Sequence, residues 1–342
     1  MDLSTSYLGL RLRNPLVASA SPMTRSVNGI RKLAAAGVGA VVLPSLFEEQ
    51  LRKEQERDNA LAEGSSNAFS EALTFFPVGY SGLPGRPQRY LDLVERASGV
   101  VDVPVIASLN GSTPGGWEDF ARSLQDAGAA AIEINVYFVP GDPHVTGREV
   151  EDTHVAILQR VRSVVSIPVA VKLSPHFSSP GQMALRLDDA GADGLVLFNR
   201  FQQPDIDVET LAVHPATGLS RPADAQLART WIAILRGHVV CSLAATTGVD
   251  QWDDVAKYLL SGADVVMTAS ALMRHGVDHV RVLLDGLQEW MTRKGFTSLE
   301  EVRGLLAVPG GVDATAYERA GYVSALERAR STYGDLRVGV HT

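Results

Sequence analysis

The stretch "AGADGLVL" (190–197) decides how this chain is read. A glycine closes one element in the left-handed conformation, which is cheap only without a Cβ, and an apolar strand starts within three residues. "AGVGAVV" (36–42), "AGAAAIEI" (127–134) and "SGADVVM" (261–267) repeat the same solution. Each joins a helix end to a near-continuous apolar strand, the pattern of a parallel sheet covered by helices. "VDVPVIA" (101–107) and "VSIPVAVK" (165–172) open their strands with proline, where the missing N–H costs no ladder bond.

Working outward, the short apolar runs number eight: NPLVASA (14–20), AVVLPS (40–45), PVIASLN (104–110), AIEINV (131–136), PVAVKLS (168–174), GLVLFNR (194–200), HVVCSLA (238–244) and DVVMTAS (264–270). Amphipathic helical stretches such as 117–127 and 250–261 alternate with them. This predicts an α/β fold, a (β/α)8 TIM barrel with loop insertions and a C-terminal helical extension; an open doubly wound sheet is the alternative. The insertions are 47–63 and 74–87 after strand 2, and 201–220 after strand 6, placed where long loops shape a substrate site. The barrel is expected over 1–294. Residues 295–342, with "SLEEVRGLL" (298–306) and "ATAYERAGYVSALERAR" (314–330), read as a helical extension packed on the barrel or on a partner subunit.

The 342 residues carry a net charge of −8, which argues against a phosphate-tracking nucleic-acid groove. The first fifteen residues lack an apolar signal core, and no apolar run reaches the ~18 residues that span a bilayer, so a cytoplasmic location is expected. One cysteine, Cys241, allows no internal disulfide, and no Cys/His cluster at zinc spacing is present, so no metal is expected.

In such a barrel, inward residues near the carboxyl ends of the strands converge on one site. Lys172, an ammonium inside an apolar strand, is costly to bury unpaired. It is read either as an ion pair with Glu133 of the neighbouring strand or as a fixed cation facing developing negative charge; a Schiff-base aldolase using Lys172 is a third reading. Asn110, Asn135 and Asn199 end strands 3, 4 and 6. One asparagine there is a turn residue, but three around one rim can read a planar heterocycle with mixed hydrogen-bonding edges. "AATTGVD" (244–250) and "MTASALM" (267–273) place small residues at the ends of strands 7 and 8, the usual anion position of this barrel.

The ordered set "LRNPLVASASP", "VPVIASLNG", "EIN", "PVAVKLSP", "ATGLSRP" and "SGADVVMTASALMRHG", over roughly residues 3–290, resembles the class 1 dihydroorotate dehydrogenases. These are FMN-dependent (β/α)8 barrels of pyrimidine biosynthesis. The resemblance implies FMN on Ala20, Ser21, Ser45, Asn110, Asn135, Lys172, Asn199 and Gly218, with its phosphate on Thr247, Gly248, Ala269 and Ser270. Lys172 would then stabilise the reduced flavin near N1 and the C2 carbonyl.

The departures fall on the substrate side. The family follows its strand 4 asparagine with a Cys or Ser general base; here the loop runs Val136, Tyr137, Phe138, Val139, Pro140. A substrate-contacting lysine is replaced by Pro44, and an Asn-Ser-Met-Gly-Leu-Pro-Asn segment by "GYSGLPG" (79–85). Tyr137 is the nearest substitute, although a phenol ionises near pH ~10 and is a poor base; His144 and His176 stand in reserve. Cys241 is expected inside strand 7 as an inert thiol. The expectation is an FMN-dependent oxidoreductase of CH–CH bonds, with Lys172, Asn135 and Tyr137 as catalytic candidates and dihydroorotate activity altered or lost. Alternatives are a flavoprotein acting on another small planar substrate and a flavin-bound subunit of a redox complex, so a homodimer and a redox protein are the partners to test.

Overall fold

The computed structural model describes residues 1–51, 86–111, 118–137, 141–200, 204–215 and 218–333. Eight parallel strands close a barrel: β1 (Leu16–Ala18), β2 (Ala40–Val42), β3 (Val105–Asn110), β4 (Ala131–Asn135), β5 (Val169–Leu173), β6 (Gly194–Leu197), β7 (Ser242–Ala245) and β8 (Val265–Thr268). Closure comes from β8 on β1, with Val266, Met267 and Thr268 opposite Leu16, Val17 and Ala18. Around the barrel lie α1 (Val27–Ala36), α2 (Arg86–Ser98), α3 (Glu118–Asp126), α4 (Gly147–Arg162), α5 (Pro180–Asp189), α6 (Gln226–Leu235), α7 (Trp252–Ser261) and α8 (His279–Lys294). This is the expected (β/α)8 TIM barrel.

The repeated turn works as its sequence demands. Gly37, Gly128, Gly191 and Gly262 all have positive φ, and the amides of Gly37 and Gly262 each reach back into the last turn of their helix. Pro104 and Pro168 offer carbonyls to Val41 and Ile132 at 3.0 and 2.9 Å, so each proline joins the ladder through the group it has.

Two cores result. Outward strand residues such as Ile132, Val171, Leu195 and Leu243 pack against the helices. The barrel interior is a separate cluster floored by Tyr7, Leu8 and Leu12 of an N-terminal hairpin, Thr5–Tyr7 paired with Leu10–Leu12. Small residues above them, Ala131, Ala170 and Ala244, leave room for that floor, and a Cβ on Gly194 would fall 2.5 Å from Leu8 Cδ2. The amide of Leu8 donates to Ser242 Oγ at 3.0 Å, and Thr5 Oγ1 donates to the Asp264 carbonyl at 2.9 Å, which seals the hairpin below the strands. The described cavities accordingly lie at the opposite, carboxyl end, where barrels of this kind place their sites.

The structure differs from expectation in three places. Strand β7 starts at Ser242, because the backbone amides of Val240 and Cys241 are taken by the Asp188 carboxylate rather than by a strand; Cys241 therefore precedes the strand and is half-buried. Burial and the adjacent Asp188 push its thiol pKa up, so it stays protonated. Residues 298–306 form turns, not a helix, tied down by Gly304 and Leu306 amides on the carbonyls of Leu259 and Leu260. Residues 314–330 are helical as expected, within α9 (Ala314–Tyr333). Within the insertion after β6, Pro204–Asp207 and Ala212–Pro215 pair as an antiparallel hairpin. Most of the insertion after β2 lies outside the described residues, as do Gly79, Gly85 and Phe138–Pro140.

One glycine tests the tight helix-to-strand turn. A Cβ on Gly39 would lie 2.3 Å from the Asn14 backbone oxygen, whereas Gly237 has open space. Gly39→Ala is expected to lower the unfolding free energy by about 1–3 kcal/mol, with Gly237→Ala near neutral. Urea unfolding followed by circular dichroism measures both, and equal effects would contradict the overlap.

Candidate active site

Strand register brings the candidates together. Asn110, Asn135 and Lys172 stand opposite one another on β3, β4 and β5, with Ser108 opposite Glu133 one inward step below. Lys172 Nζ lies 3.4 Å from Glu133 Oε1, with side-chain exposures of 11% and 1%. Glu133 Oε2 has no hydrogen-bond partner among the described residues. The structure shows the ion-pair reading of Lys172: the carboxylate beneath pairs with it, and Lys172 also lines a cavity. Asn199 Nδ2 donates to Asn135 Oδ1 at 2.6 Å, which fixes one amide by the other. On the far side Ser45 Oγ and Ser108 Oγ share a 2.8 Å hydrogen bond, while Tyr90 Oη accepts from Ser108 N at 2.9 Å. Burial raises the Tyr90 pKa, so it remains a neutral phenol holding that strand.

Ser45, Asn110, Asn135, Lys172 and Asn199 line a cavity of about 540 Å³ that also takes in Ala20, Ser21, Pro44, Phe47 and Tyr137. Lys172, Asn199 and Ala20 are shared with a second cavity of about 170 Å³ over the ends of β7 and β8, lined by Thr247, Gly248, Ala269 and Ser270. The two are contiguous. Thr247 and Gly248 have φ of 78° and 73°. Gly248 is required twice over, since a Cβ there would fall 2.7 Å from Ala225 N. Thr247 is held in its costly conformation by Tyr258 Oη, which donates to its carbonyl at 2.7 Å. Ser220 Oγ accepts from Gly248 N at 3.2 Å and meets Ser270 Oγ at 2.8 Å, so three loops are tied together. Arg274 donates to the Ser220 carbonyl at 2.8 Å and pairs with Asp250. Burial pushes the Asp250 carboxyl up, but the bond and charge of Arg274 outweigh it and hold the group below the usual carboxylate range.

Other candidates lie apart. Gly218 is exposed, accepts a hydrogen bond from Arg200 and lines neither cavity. His144 is exposed, and His176 lines a third cavity of about 310 Å³ that shares Asn199 and Arg200 with the other two. Sequence reading missed Arg25 and Arg200, which both line the larger cavity. Arg200 follows the strand-end asparagine directly, so the rule that singled out Asn199 reaches it as well. No set of His, Cys, Asp and Glu able to hold a metal occurs among the described residues, and no helix there is long and apolar enough to cross a membrane.

A model of the dihydroorotate dehydrogenase family matches residues 2–291. The chain belongs to that family. It is 28% identical over 314 residues to a putative dihydroorotate dehydrogenase A (fumarate) of Aeropyrum pernix, covering 89% of this chain and 97% of the relative. It is 29% identical over 318 residues to a dihydroorotate dehydrogenase B (NAD(+)) catalytic subunit of Methanocella arvoryzae, covering 89% and 98%. The PreA subunit of an NAD-dependent dihydropyrimidine dehydrogenase from Escherichia coli is 25% identical over 324 residues, covering 89% of this chain and 76% of that protein. All are oxidoreductases, which places this chain among the dehydrogenases rather than the Schiff-base aldolases.

The buried pair yields a stability test. Glu133→Ala would leave Lys172 uncompensated over an apolar interior, and a loss of about 3 kcal/mol is expected, at the low end for a broken buried pair because Lys172 still reaches the cavity. Equilibrium urea unfolding measures it; a loss under about 1 kcal/mol would mean that Glu133 does not support Lys172.

Proposed function

We propose that this protein is an FMN-dependent oxidoreductase of CH–CH bonds whose activity on dihydroorotate is weak or lost. The observation that carries the reading is the convergence of one ammonium and three asparagine amides, Lys172, Asn110, Asn135 and Asn199, on a cavity continuous with the small-residue cradle at β7 and β8. That donor set fits a flavin mononucleotide: mixed amide donors and acceptors for the ring edge, a cation where charge accumulates, and a small compartment for a phosphate. FMN, when bound, supplies the two-electron acceptor. Ala20, Ser21, Ser45 and Asn110 would flank the ring, and Thr247, Gly248, Ala269 and Ser270 the phosphate. Gly218 would contribute only through the Arg200 contact. No G-x-G-x-x-G follows the first strand, which disfavours a dinucleotide.

What the chain does in the reaction follows from its own groups. Asn135, fixed by Asn199, orients the bound ring. Lys172 lines the cavity with Glu133 paired to it from below, so it would face the ring where charge accumulates. Oxidising dihydroorotate needs a base for the C5 proton as hydride leaves C6, and the residue after Asn135 and Val136 is Tyr137. Pro44 offers the substrate no charge or hydrogen-bond donor. Phe47, Pro44 and Tyr137 instead give the larger cavity flat apolar faces, which suit another small planar substrate. Relatives named as catalytic or PreA subunits support a further protein subunit as redox partner. A cytoplasmic place beside pyrimidine metabolism completes the reading.

Two outcomes are expected. The purified protein should be yellow, release FMN on denaturation as judged by mass spectrometry, and show a lower flavin reduction potential in Lys172→Ala by spectroelectrochemical titration. FAD as the sole flavin, or an unchanged potential at full occupancy, would contradict the assignment. In anaerobic stopped-flow mixing, dihydroorotate should bleach the bound flavin roughly two to four orders of magnitude more slowly than an enzyme with a positioned base allows. Fast bleaching would send the search for a base to His144 or His176.

A further inference from the structure

We infer that Glu133 is the proton-holding residue of the flavin site: when the ring is reduced beside Lys172, the buried carboxylate takes up one proton at Oε2. This rests on the reading of the larger cavity as the seat of a flavin in a dehydrogenase of CH–CH bonds.

The two oxygens of Glu133 meet different surroundings. Oε1 lies 3.4 Å from Lys172 Nζ, and Oε2 has no hydrogen-bond partner among the described residues. The side chain is 1% exposed and stands one inward step above Ala131, over the apolar interior that Ile106, Ala170 and Val196 help to form. A buried carboxylate is ordinarily well supplied with donors, and a strong charged pair closes to about 2.7–2.9 Å. This one depends on a single, longer contact. Two further ionisable groups stand near enough to feel its charge, Tyr7 in the hairpin floor and Tyr90 of α2. Burial pushes both phenols up and the Glu133 charge adds to the rise, so neither supplies a counter-charge. Lys172 also lines the cavity beside Asn135 and Asn199. Oxidation of a CH–CH bond breaks a C–H bond and passes its two electrons and one proton to the ring, which gains one negative charge. The second substrate hydrogen leaves as a proton to solvent. The new charge and the Glu133 carboxylate then share one ammonium in a low-dielectric interior, where neighbouring anions drive one of them to protonate. Glu133 has the free oxygen to do so: an O–H bond forms at Oε2, with the proton drawn from solvent through the cavity that Lys172 lines. Charge over the three groups is unchanged, because a neutral ring, ammonium and carboxylate give way to an anionic ring, ammonium and carboxylic acid.

The pH slope of the flavin potential reads this proton. Hydride alone carries one proton per two electrons, so the potential falls by about 30 mV per pH unit, one tenfold factor in the equilibrium constant, and a second proton on Glu133 doubles the fall to about 60 mV. Spectroelectrochemical titration of the flavin-loaded, full-length protein across the neutral range should give the two-proton slope in the wild type and in Glu133→Asp. Glu133→Gln, which keeps the shape of the side chain but has no acidic oxygen, should give the one-proton slope. A purely structural Glu133 would leave the slope untouched. The reduced-minus-oxidised infrared difference spectrum should show the carbonyl band of a protonated carboxyl in the wild type and lack it in Glu133→Gln. A one-proton slope or no carboxylic-acid band in the wild type, or a slope and band that survive in Glu133→Gln, would overturn the inference. Where the glutamine variant does not fold, the wild-type slope and band still decide it. A protein that takes up no FMN overturns the proposed function and this inference with it, whereas a one-proton slope in the loaded protein overturns this inference alone.

Discussion

The constraint on which the site depends is the burial of Lys172 inside the barrel. An ammonium there is tolerable only with a counter-charge in reach, and Glu133 supplies it because strand register leaves no other arrangement: Asn135 stands opposite Lys172, Glu133 opposite Ala170, and side chains alternate. A slip of one residue between β4 and β5 would turn lysine or glutamate toward the helices. Ala170 directly below Lys172 leaves space for the carboxylate, and the hairpin floor of Tyr7 and Leu8 keeps solvent from reaching it from the other end. Packing, register and charge thus specify one another. The unsatisfied Glu133 Oε2 is the cost of a carboxylate placed to face an ammonium.

Much of this is legible in the sequence. Four helix ends with a glycine before an apolar run mark the barrel because the left-handed turn has a local chemical requirement, and proline at the strand openings marks where ladder bonds begin. Inward polar residues at strand ends were legible for the same reason: Lys172, Asn110 and Asn135 break apolar runs. What escaped was decided by tertiary contacts. HVVC reads as strand, yet the Asp188 carboxylate captures the amides of Val240 and Cys241 and delays the strand to Ser242. SLEEVRGLL has helical composition, yet backbone bonds to Leu259 and Leu260 and the Arg303 contact with Asp264 hold it in turns. Arg25 and Arg200 border the larger cavity as exposed side chains, and an arginine in a loop carries no sequence signal that separates it from any solvated charge.

The catalytic question turns on what the cavity lacks as much as on what it holds. Among the described lining residues there is no imidazole, thiol or carboxylate, so Tyr137 and Lys172 are the titratable groups besides the two arginines. Lys172 is already paired with Glu133. Tyr137 is the remaining group on this wall, a different side chain from the serine or cysteine that resemblance to the family implies. The fold is the family's, and the described residues around the larger cavity are amides, cations and apolar groups.

The cradle at β7 and β8 shows where the chain accepts strain to build a site. Thr247 takes a left-handed φ that a β-branched residue avoids, and it does so beside a glycine with no room for a Cβ. Nothing in the barrel requires this; the neighbouring strand ends turn without it. Tyr258 from α7 holds the strained carbonyl, Ser220 captures the next amide, and Arg274 of the short helix Ser270–His275 ties Ser220 to Asp250, so two helices and a loop pin two residues. A conformation that costs about 1–3 kcal/mol survives only when its surroundings over-determine it. The over-determination is concentrated on the compartment that adjoins Lys172, and it preorganises that compartment before any ligand arrives.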